Sequence, residues 1–472
     1  MYIRTISVKN LKRLQDVQLN FTNKDGSPRM WTVLIGENGT GKTSILQSIA
    51  LAAAGQLRVN ELVGSSSSYL IGRRKTGALS IQAHFDFTPL SRNQKFHPTW
   101  KSSKLHDNID INALTLTSNV TLAPKETSLR GEAWYGDGDT PERGPEDPLD
   151  KARALESKLW FVIGYGVQRT LPQPGATPPN LAKPTIDRLK SLFDIQHAIT
   201  STGFMNHFGS RTKKALRYSK ALADIISGTG IFPEDIEKLE LRGQGGVTTG
   251  KDLLERDRFH QKMGKTSVKV PALSLAHGYQ STVAWIADLI GHILLEADMD
   301  DALSPKEFEG LVLIDEIDLY LHPSWQARLI PALRETFPKL QFVATTHSPV
   351  VLATLAPDEV IQLEIDKETG NVVCKESQHT DVQNTESEDE DTTTQADPRS
   401  MTGTEMYREF FGLDRLTLNV HGEELRDYTA LATNPYRTDY QDQEMNTLKT
   451  SLAKSMILDL VEPVARINDD QA

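Results

Sequence analysis

The first part of the chain shows two kinds of hydrophobic pattern. Tyr2–Val8, Val17–Phe21 and Leu79–Phe87 alternate apolar and polar positions with the period of two that is typical of a half-buried strand. Trp31–Ile35 is a short apolar run, and Thr43–Ala54 places its apolar residues at helical spacing. These patterns predict several strands, one of which passes through a turn into a helix.

The later part of the chain changes repeatedly between helical and strand-like patterns. Residues 185–265 are mostly helical by pattern, and Leu275–Leu295 is a long helical segment. Leu159–Ile163, Leu311–Ile314 and Gln341–Thr345 are short apolar runs of the kind that forms buried strands. Because strands recur between helices, we predict an α/β fold.

The C-terminal segment has a helical pattern of its own. Thr402 and Glu405 fit a capping box for a helix that ends at Gly412. Further along, Pro463 stops an apolar stripe at helical spacing that consists of Met445, Leu448, Leu452, Met456 and Leu460. The stripe predicts a helix that either packs within its own domain or docks against a partner helix.

The chain has 472 residues and a formal net charge of −11, and this charge is unevenly distributed. The tract from Asp381 to Asp397 holds seven acidic residues and no Lys or Arg, so it supplies most of the net charge. The polar composition of residues 376–399 predicts a disordered linker, with masking of a basic surface as the alternative. Since the remainder is nearly neutral, the acidic total does not exclude a local DNA-binding face.

The composition also excludes two classes of protein. A single cysteine, Cys374, excludes a disulfide scaffold and a multi-cysteine zinc site. The start of the chain has no continuous apolar stretch of the kind a signal peptide needs. Ser44–Ala54 and Trp285–Ala297 are the most apolar stretches, and they are too short or too charged to span a bilayer. We therefore expect a cytoplasmic protein that does not act at a membrane.

Gly36–Thr43 matches the phosphate-loop motif G-x-x-x-x-G-K-[ST] in full, between a predicted strand and a predicted helix. Glycines let backbone N–H groups converge on phosphate oxygens, and the helix N-terminus adds a partial positive charge. We expect Lys42 to reach the β- and γ-phosphates and the Thr43 hydroxyl to ligate Mg²⁺. The motif thus predicts an ATP and Mg²⁺ site with the nucleotide-binding residues Gly36, Asn38, Gly39, Gly41, Lys42, Thr43 and Ser44.

Two further predicted strands end in residues suited to phosphate hydrolysis. Asp315 follows the apolar run Leu311–Ile314, where we expect it to hold Mg²⁺, and we expect the adjacent Glu316 to polarise the attacking water. The apolar stretch Phe342–Ala344 leads to His347, which would lie near the γ-phosphate if these strands are parallel neighbours. Downstream of a phosphate loop, this combination favours an ATP hydrolase.

These motifs resemble those of the ABC-type ATPases of the RecF, SMC and OLD group. The matching segments are Ile35–Thr43, Asp315–Pro323, Trp325–Gln326 and Thr346–Pro349. The resemblance implies an ATPase head that is split along the chain. Within it, His347 would be the switch histidine, and Asp318 would belong to the segment that crosses to a partner head.

The same resemblance extends to two less specific segments. Phe161–Arg169 is similar to the strand that leads to the glutamine loop, so Gln168 is a candidate to sense Mg²⁺ and the attacking water, with an ordinary strand-end turn as the alternative. Leu275–Ser281 resembles the signature segment, which implies that His277 and Gly278 contact the nucleotide of the opposite subunit. The group usually has Ser where this chain has Ala276, so we expect slow ATP turnover.

The resemblance also implies how the chain assembles. Heads of this group enclose each nucleotide between the phosphate loop of one subunit and the signature of the other, so we expect a homodimer and leave a larger homo-oligomer open. The expected segments are the N-terminal part of the ATPase head with an antiparallel β lobe (1–170), a helical insert (171–270), the C-terminal part of the head (271–375), an acidic disordered linker (376–399) and a helical tail with partner or oligomer contacts (400–472).

The short insert, the helical tail and the lack of a Toprim nuclease pattern make the chain most similar to the ATPase subunits of Septu antiphage defence systems. That resemblance implies a separate HNH-type nuclease partner that ATP restrains, with no nuclease activity in this chain. DNA would be bound directly or through the partner. One alternative is a RecF-like DNA-repair ATPase, in which the basic segment Arg211–Lys220 binds DNA rather than forming a solvated helix face. A less favoured alternative is the nucleotide-binding subunit of an ABC transporter.

Overall fold

The described part of the chain forms two compact units, Met1–Met401 and Thr402–Ala472. The computed structural model describes residues 1–64, 77–87, 115–124, 126–136, 149, 160–172, 181, 183–209, 212–240, 258–296, 306–376, 397–411, 421–455 and 460–466. The predicted acidic linker therefore lies outside the described residues except at its ends, as do Arg211 of the basic segment and Met456 of the apolar stripe. Within the described ranges, no helix has the length and apolar character needed to cross a bilayer.

The strands of the described chain all lie in the first unit. They are β1 (Tyr2–Leu11), β2 (Leu14–Asn20), β3 (Trp31–Gly36), β4 (Leu79–Asp86), β5 (Thr115–Leu122), β6 (Arg130–Tyr135), β7 (Val162–Tyr165), β8 (Ile236–Glu240), β9 (Arg258–Met263), β10 (Thr266–Val270), β11 (Gly310–Ile314), β12 (Leu340–Thr345), β13 (Val360–Ile365) and β14 (Val372–Glu376).

Helices are found in both units of the described chain. The first unit contains α1 (Lys42–Ala54), α2 (Val59–Val63), α3 (Pro184–Asp187), α4 (Phe204–Phe208), α5 (Lys213–Gly228), α6 (His277–Glu296), α7 (Pro323–Thr336) and α8 (Pro349–Leu352). The second unit contains α9 (Gly403–Phe411), α10 (Gly422–Thr433) and α11 (Asp439–Lys454).

The central sheet has the strand order β14-β13-β3-β12-β11-β7. The five strands from β13 to β7 are mutually parallel, and β14 pairs with β13 in the antiparallel direction. Every residue of β3, β11 and β12 is buried, which explains why these strands appear as apolar runs in the sequence. Since parallel strands end at one edge, the residues after β3, β11 and β12 meet there. The α/β fold is thus confirmed.

A second, antiparallel sheet with the order β2-β1-β4-β5-β6 covers the helix that follows the phosphate loop. Its apolar side chains share one hydrophobic core with α1 and with the central sheet. All residues of α1 are buried except Thr43 and Gln47, because the helix lies between the two sheets. This enclosure holds the first turn of α1 in place beside the edge of the central sheet.

The prediction that residues 185–265 are mostly helical is wrong for Ile236–Glu240 and Arg258–Met263, which are strands. The amphipathic helix α5 is present, but β8, β9 and β10 form a three-stranded antiparallel sheet, so the segment 171–270 is not a purely helical insert. Four of the five residues of β10 are exposed, and a register shift interrupts β8 between Ile236 and Lys238. Neither strand therefore shows the apolar alternation by which strands are recognised.

The second unit has a small core of its own between α10 and α11. Tyr428, Ala432, Met445 and Leu452 are buried in it, with Leu448 and Leu460 partly buried against them. Thr438 and Gln441 form a capping box at the start of α11, and the helix ends at Lys454. The described part of the apolar stripe thus packs within its own unit.

Candidate nucleotide-binding site

The phosphate loop joins β3 to α1 at the edge of the central sheet. Gly36, Gly39 and Gly41 all have positive φ angles, of 146°, 85° and 91°. At Gly36 a Cβ atom would lie 2.2 Å from the carbonyl oxygen of Leu363 on the neighbouring strand β13, so only glycine fits at this close approach. Glu37, Asn38 and Gly39 are exposed at the top of the loop, where a phosphate chain can reach their backbone N–H groups.

Lys42 is folded back over this loop. Its Nζ donates hydrogen bonds to the carbonyl oxygens of Gly36 at 2.7 Å and Glu37 at 3.0 Å. Burial lowers the pKa of the Lys42 ammonium, and the charges of Asp315 and Glu316 partly oppose that shift. The ammonium is therefore held among carbonyl groups at the point where the motif predicts phosphate oxygens.

Thr43, at the start of α1, contacts the acidic residue that ends β11. Its Oγ1 donates a hydrogen bond to Oδ2 of Asp315 at 2.8 Å, and Thr345 Oγ1 donates to Oδ1 of the same carboxylate at 2.7 Å. Asp315 is buried, whereas Thr43 is only partly buried. A hydroxyl and a carboxylate in contact are oxygen donors of the type that Mg²⁺ prefers. Ser44, the next residue along α1, is buried.

Glu316 occupies an unusual backbone conformation. Its φ is 47°, in the left-handed region that residues with a Cβ seldom adopt, and its N–H donates to Thr345 Oγ1 at 2.7 Å. Burial raises the pKa of the Glu316 carboxyl, and the nearby charges of Asp315 and Asp318 raise it further. A half-buried carboxylate with a raised pKa is suited to accept a proton from water.

His347 follows β12 at the same edge of the sheet and is partly buried. Burial lowers the pKa of its imidazole, and the positive charge of Lys42 lowers it further. The residue before it, Thr346, donates from Oγ1 to Oδ1 of Asp318, which lies in the turn that follows β11. The imidazole is therefore biased to the neutral form, on a loop that is tied to the Asp318 turn.

Two residues to which the sequence assigns no role hold these turns together. Arg169 is buried, and its guanidinium donates to the carbonyl oxygens of Asp315 at 2.6 Å and Glu316 at 2.8 Å. Gln326 donates from Nε2 to the carbonyl oxygen of Leu321 at 2.9 Å and accepts from Ser348 Oγ at 2.6 Å. Both lie in segments that carry the family resemblance, Phe161–Arg169 and Trp325–Gln326, but the sequence does not reveal these contacts.

The remaining predicted residues lie beside this cluster. The side chain of Gln168 is exposed after β7. His277 begins α6 and makes an edge-on ring contact with Tyr320, with the ring centroids 4.4 Å apart. A Cβ on Gly278 would lie 2.4 Å from the Tyr320 carbonyl oxygen. The structure thus groups the signature segment with the Asp318–Leu321 turn.

Two family models match parts of the chain. The model described as "AAA ATPase domain" matches residues 1–119. The model described as "AAA domain, putative AbiEii toxin, Type IV TA system" matches residues 268–353. The first stretch contains the phosphate loop, and the second contains Asp315, Glu316 and His347.

Similar proteins are found among curated sequences. The chain is 35% identical over 402 residues to the retron Vc95 probable ATPase of Vibrio cholerae serotype O1 biovar El Tor. This alignment covers 76% of this chain and 72% of that protein. It is 25% identical over 372 residues to the Septu protein PtuA of Bacillus mycoides (strain KBAB4), which covers 77% of this chain and 40% of that protein. The chain thus spans less than half the length of this Septu relative.

Solved structures include a similar chain in the crystal structure of the SmcHead bound to the C-winged helix domain of ScpA. The two are 16% identical, with a TM-score of 0.48, and the alignment covers 80% of this chain and 98% of that chain.

Proposed function

The chain belongs to the P-loop ATPase family that includes the retron Vc95 probable ATPase, and we propose that it binds ATP with Mg²⁺ and hydrolyses it slowly as a nucleotide-gated subunit of an antiphage defence complex. The observation that carries the ATPase proposal is the pair of hydrogen bonds on the Asp315 carboxylate. One comes from Thr43 of the phosphate loop at 2.8 Å and the other from Thr345 of β12 at 2.7 Å.

Each residue of the cluster has a distinct task in this proposal. Thr43 and Asp315 would hold Mg²⁺, which supplies neutralisation of the phosphate charge when bound. Lys42 would exchange its bonds to loop carbonyls for bonds to the β- and γ-phosphates. Glu316 would orient the attacking water and accept its proton, and neutral His347 would lie beside the γ-phosphate.

Slow hydrolysis is supported by the composition of the signature segment. Ala276 is exposed immediately before α6 and has no hydroxyl to donate to a γ-phosphate. In a two-subunit sandwich, the exposed His277 and the backbone N–H groups at the start of α6 would have to replace that contact. Loss of one preorganised donor lowers kcat by about 100- to 1,000-fold in well-studied active sites.

The defence role and the nuclease partner are proposed from the resemblance to Septu and retron ATPases. ATP would close a homodimer, and the closed form would persist as long as the bound nucleotide keeps its γ-phosphate. That closed form would restrain an HNH-type nuclease. The test is co-purification with the product of the neighbouring gene, followed by mass measurement with and without ATP. A complex whose assembly depends on ATP supports the proposal. If the chain purifies without that product under both conditions, the proposed partnership is overturned.

The nucleotide part is tested with Lys42→Ala and a matched lysine control. Lys42→Ala should lose measurable ATP binding and hydrolysis, whereas Lys9→Ala, on the exposed end of β1 beside Asp16 at 3.8 Å, should retain both. Wild-type affinity in Lys42→Ala would exclude the phosphate loop as the nucleotide site.

Direct DNA binding is the second candidate function, favoured by the exposed Lys213 and Lys220 on α5. It predicts ATP-dependent affinity for duplex DNA that falls with salt and weakens in the Lys213→Ala, Lys220→Ala double variant. DNA binding by the isolated chain that shows this dependence would favour a RecF-like repair role over a nuclease-regulating one.

A further inference from the structure

A buried guanidinium lies directly under the turn that carries the predicted catalytic carboxylate. Arg169 is 2% exposed, and its Nη1 and Nη2 atoms donate to two successive carbonyl oxygens, those of Asp315 at 2.6 Å and Glu316 at 2.8 Å. The planar fork of an arginine presents two parallel N–H groups, so one side chain fixes both peptide planes at once. A lysine, which carries a single point charge, cannot reproduce that geometry.

The turn that Arg169 holds is conformationally unfavourable. Glu316 has a φ of 47° although it carries a Cβ, so the turn needs external contacts to persist. Two further contacts reach the same turn from β12, because Glu316 N donates to Thr345 Oγ1 at 2.7 Å and Ile317 N donates to the Thr345 carbonyl oxygen at 3.0 Å. Arg169 thus contacts the turn from the side of β7, opposite to the contacts from β12, and from that side the Tyr165 carbonyl oxygen also accepts from Asp315 N at 2.9 Å.

A buried arginine carries an energetic cost that would be unnecessary if Arg169 only filled space. Burial lowers the pKa of its guanidinium to about 10, although the negative charges of Asp315 and Glu316 act to raise this pKa. Its Nε is buried without a hydrogen-bond partner among the described residues. Since burying a charge is costly and an apolar side chain of similar volume would pack without that cost, the geometry points to a requirement for the fork itself.

We propose that Arg169 is a positioning residue for ATP hydrolysis, which holds the left-handed turn at Glu316 and so directs its carboxylate at the attacking water. This inference rests on the proposed ATPase function. The residue acts through the Glu316 backbone and needs no contact with nucleotide. The adjacent Gln168 is thereby connected through the chain to the same turn.

The first test compares Arg169→Met and Arg169→Lys with the wild type in the full-length protein. Arg169→Met should lower kcat by about 10- to 100-fold, because small displacements of a catalytic group have effects of this size. The Kd for ATP should stay within about twofold, since Lys42, Thr43 and Asp315 keep their side chains. Arg169→Lys should lie between the two, and a loss of ATP affinity with unchanged kcat would overturn the inference.

Arg188 supplies a matched control, because its side chain contacts the start of β7, whereas Arg169 follows the end of that strand. It is 4% exposed and also donates to two backbone carbonyls, those of Val162 at 2.6 Å and Trp160 at 2.7 Å. Arg188→Met removes another buried guanidinium, which donates at the start of β7 and not to the Glu316 turn, so it should lower stability and leave kcat per folded molecule unchanged. Equal effects of Arg169→Met and Arg188→Met on kcat would reduce Arg169 to a structural residue.

A measurement without turnover separates this inference from the proposed function. Amide hydrogen exchange at Glu316 and Ile317 should be faster in Arg169→Met and unchanged in Arg188→Met, whether or not the chain hydrolyses ATP. If hydrogen exchange at these two amides is the same in Arg169→Met as in the wild type, the positioning role is overturned. Absent hydrolysis in the wild type, with exchange altered as expected, overturns the ATPase proposal and with it the catalytic consequence, and leaves only the hold of Arg169 on the turn. In a Glu316→Gln background, Arg169→Met should cause no further loss of kcat, since the two act as one unit.

Discussion

The hydroxyl of Thr43 donates a hydrogen bond to the carboxylate of Asp315 at 2.8 Å, across 272 positions of sequence. Thr43 stands in the first turn of α1 and Asp315 follows the last residue of β11, so the contact joins the phosphate loop to the end of a strand two places away in the sheet. The parallel pairing of β3, β12 and β11 brings both residues to one edge.

Replacing Asp315 with Asn should uncouple nucleotide binding from Mg²⁺. The amide keeps the shape of the side chain but loses the negative charge, so Mg²⁺-dependent affinity for ATP should fall at least roughly 10- to 100-fold. Titration of ATP with Mg²⁺ and with a chelator measures this dependence. The exposed Asp16→Asn, whose carboxylate lies 3.8 Å from Lys9, should bind like the wild type, and an unaltered Mg²⁺ dependence in Asp315→Asn would remove Asp315 from the metal site.

Replacing Glu316 with Gln should separate ATP binding from hydrolysis. The amide cannot accept a proton, so kcat should fall by roughly 100-fold or more, while ATP still binds and the closed dimer persists. Phosphate release and light scattering in the presence of ATP measure the two effects. Glu335→Gln, exposed on α7, should behave as the wild type, and full hydrolysis by Glu316→Gln would assign the water-polarising role to another residue.

The central sheet and most of the cluster could be predicted because each is encoded locally. The strands β3, β11 and β12 are buried on both faces and so appear as apolar runs, each with its polar residues immediately after it. Gly36–Thr43 is a motif because phosphate contact by backbone needs glycine at fixed spacing. The edge at which Thr43, Asp315 and His347 meet follows from the parallel order of these strands.

The rest could not be predicted because it depends on contacts between distant segments. The carbonyl acceptors of Arg169 lie about 150 residues away, and hydrogen bonds to backbone leave no trace in the identity of the acceptor residue. The sheet of β8, β9 and β10 was missed for a related reason. β10 is almost entirely exposed, so its side chains need not alternate, and a register shift in β8 removes the period of two there.

A buried polar cluster connects the middle of α6 with β7 and with the segment before α4. Asp288 accepts hydrogen bonds from Ser201 N at 2.7 Å and Tyr165 Oη at 3.2 Å, and His292 Nε2 lies 3.6 Å from its carboxylate. Burial raises the pKa of the Asp288 carboxyl to about 7. The imidazole of His292 is fully buried too, and burial holds its pKa well below 6.5, with Arg188 lowering it further.

Stability of the first unit should therefore depend on pH through Asp288. The folded state keeps the Asp288 proton up to a pH of about 7, whereas an unfolded aspartate loses it near pH 3.8. The contribution of Asp288 to the free energy of unfolding is thus complete below pH 4 and declines towards pH 7, by on the order of 1 kcal/mol per pH unit. Because Asn has no proton to lose, the stability of Asp288→Asn relative to the wild type should rise over this range.

Denaturant unfolding at pH 4.5, 5.5 and 6.5 measures this difference, and taking it relative to the wild type cancels the opposite contribution of His292. His292 favours the folded state only when it is neutral, so its contribution falls as the pH drops below 6.5 in both proteins. Asp224→Asn, exposed on α5, should show no such trend. A relative stability of Asp288→Asn that is constant with pH would mean that the carboxyl titrates normally.

The second unit offers a test of whether its apolar stripe serves its own fold. Leu452 is fully buried between α10 and α11, so Leu452→Ala should destabilise this unit by about 2–5 kcal/mol through lost burial and a residual cavity. Val461 is 45% exposed, so Val461→Ala should change stability by no more than about 0.5 kcal/mol. Hydrogen exchange of α11 in the full chain measures both effects, and the ATP affinity of the first unit serves as an internal control. If Leu452→Ala left exchange in α11 unchanged but abolished binding of a partner protein, the stripe would be a docking surface, because a side chain that stabilises its own core cannot be removed without opening that core.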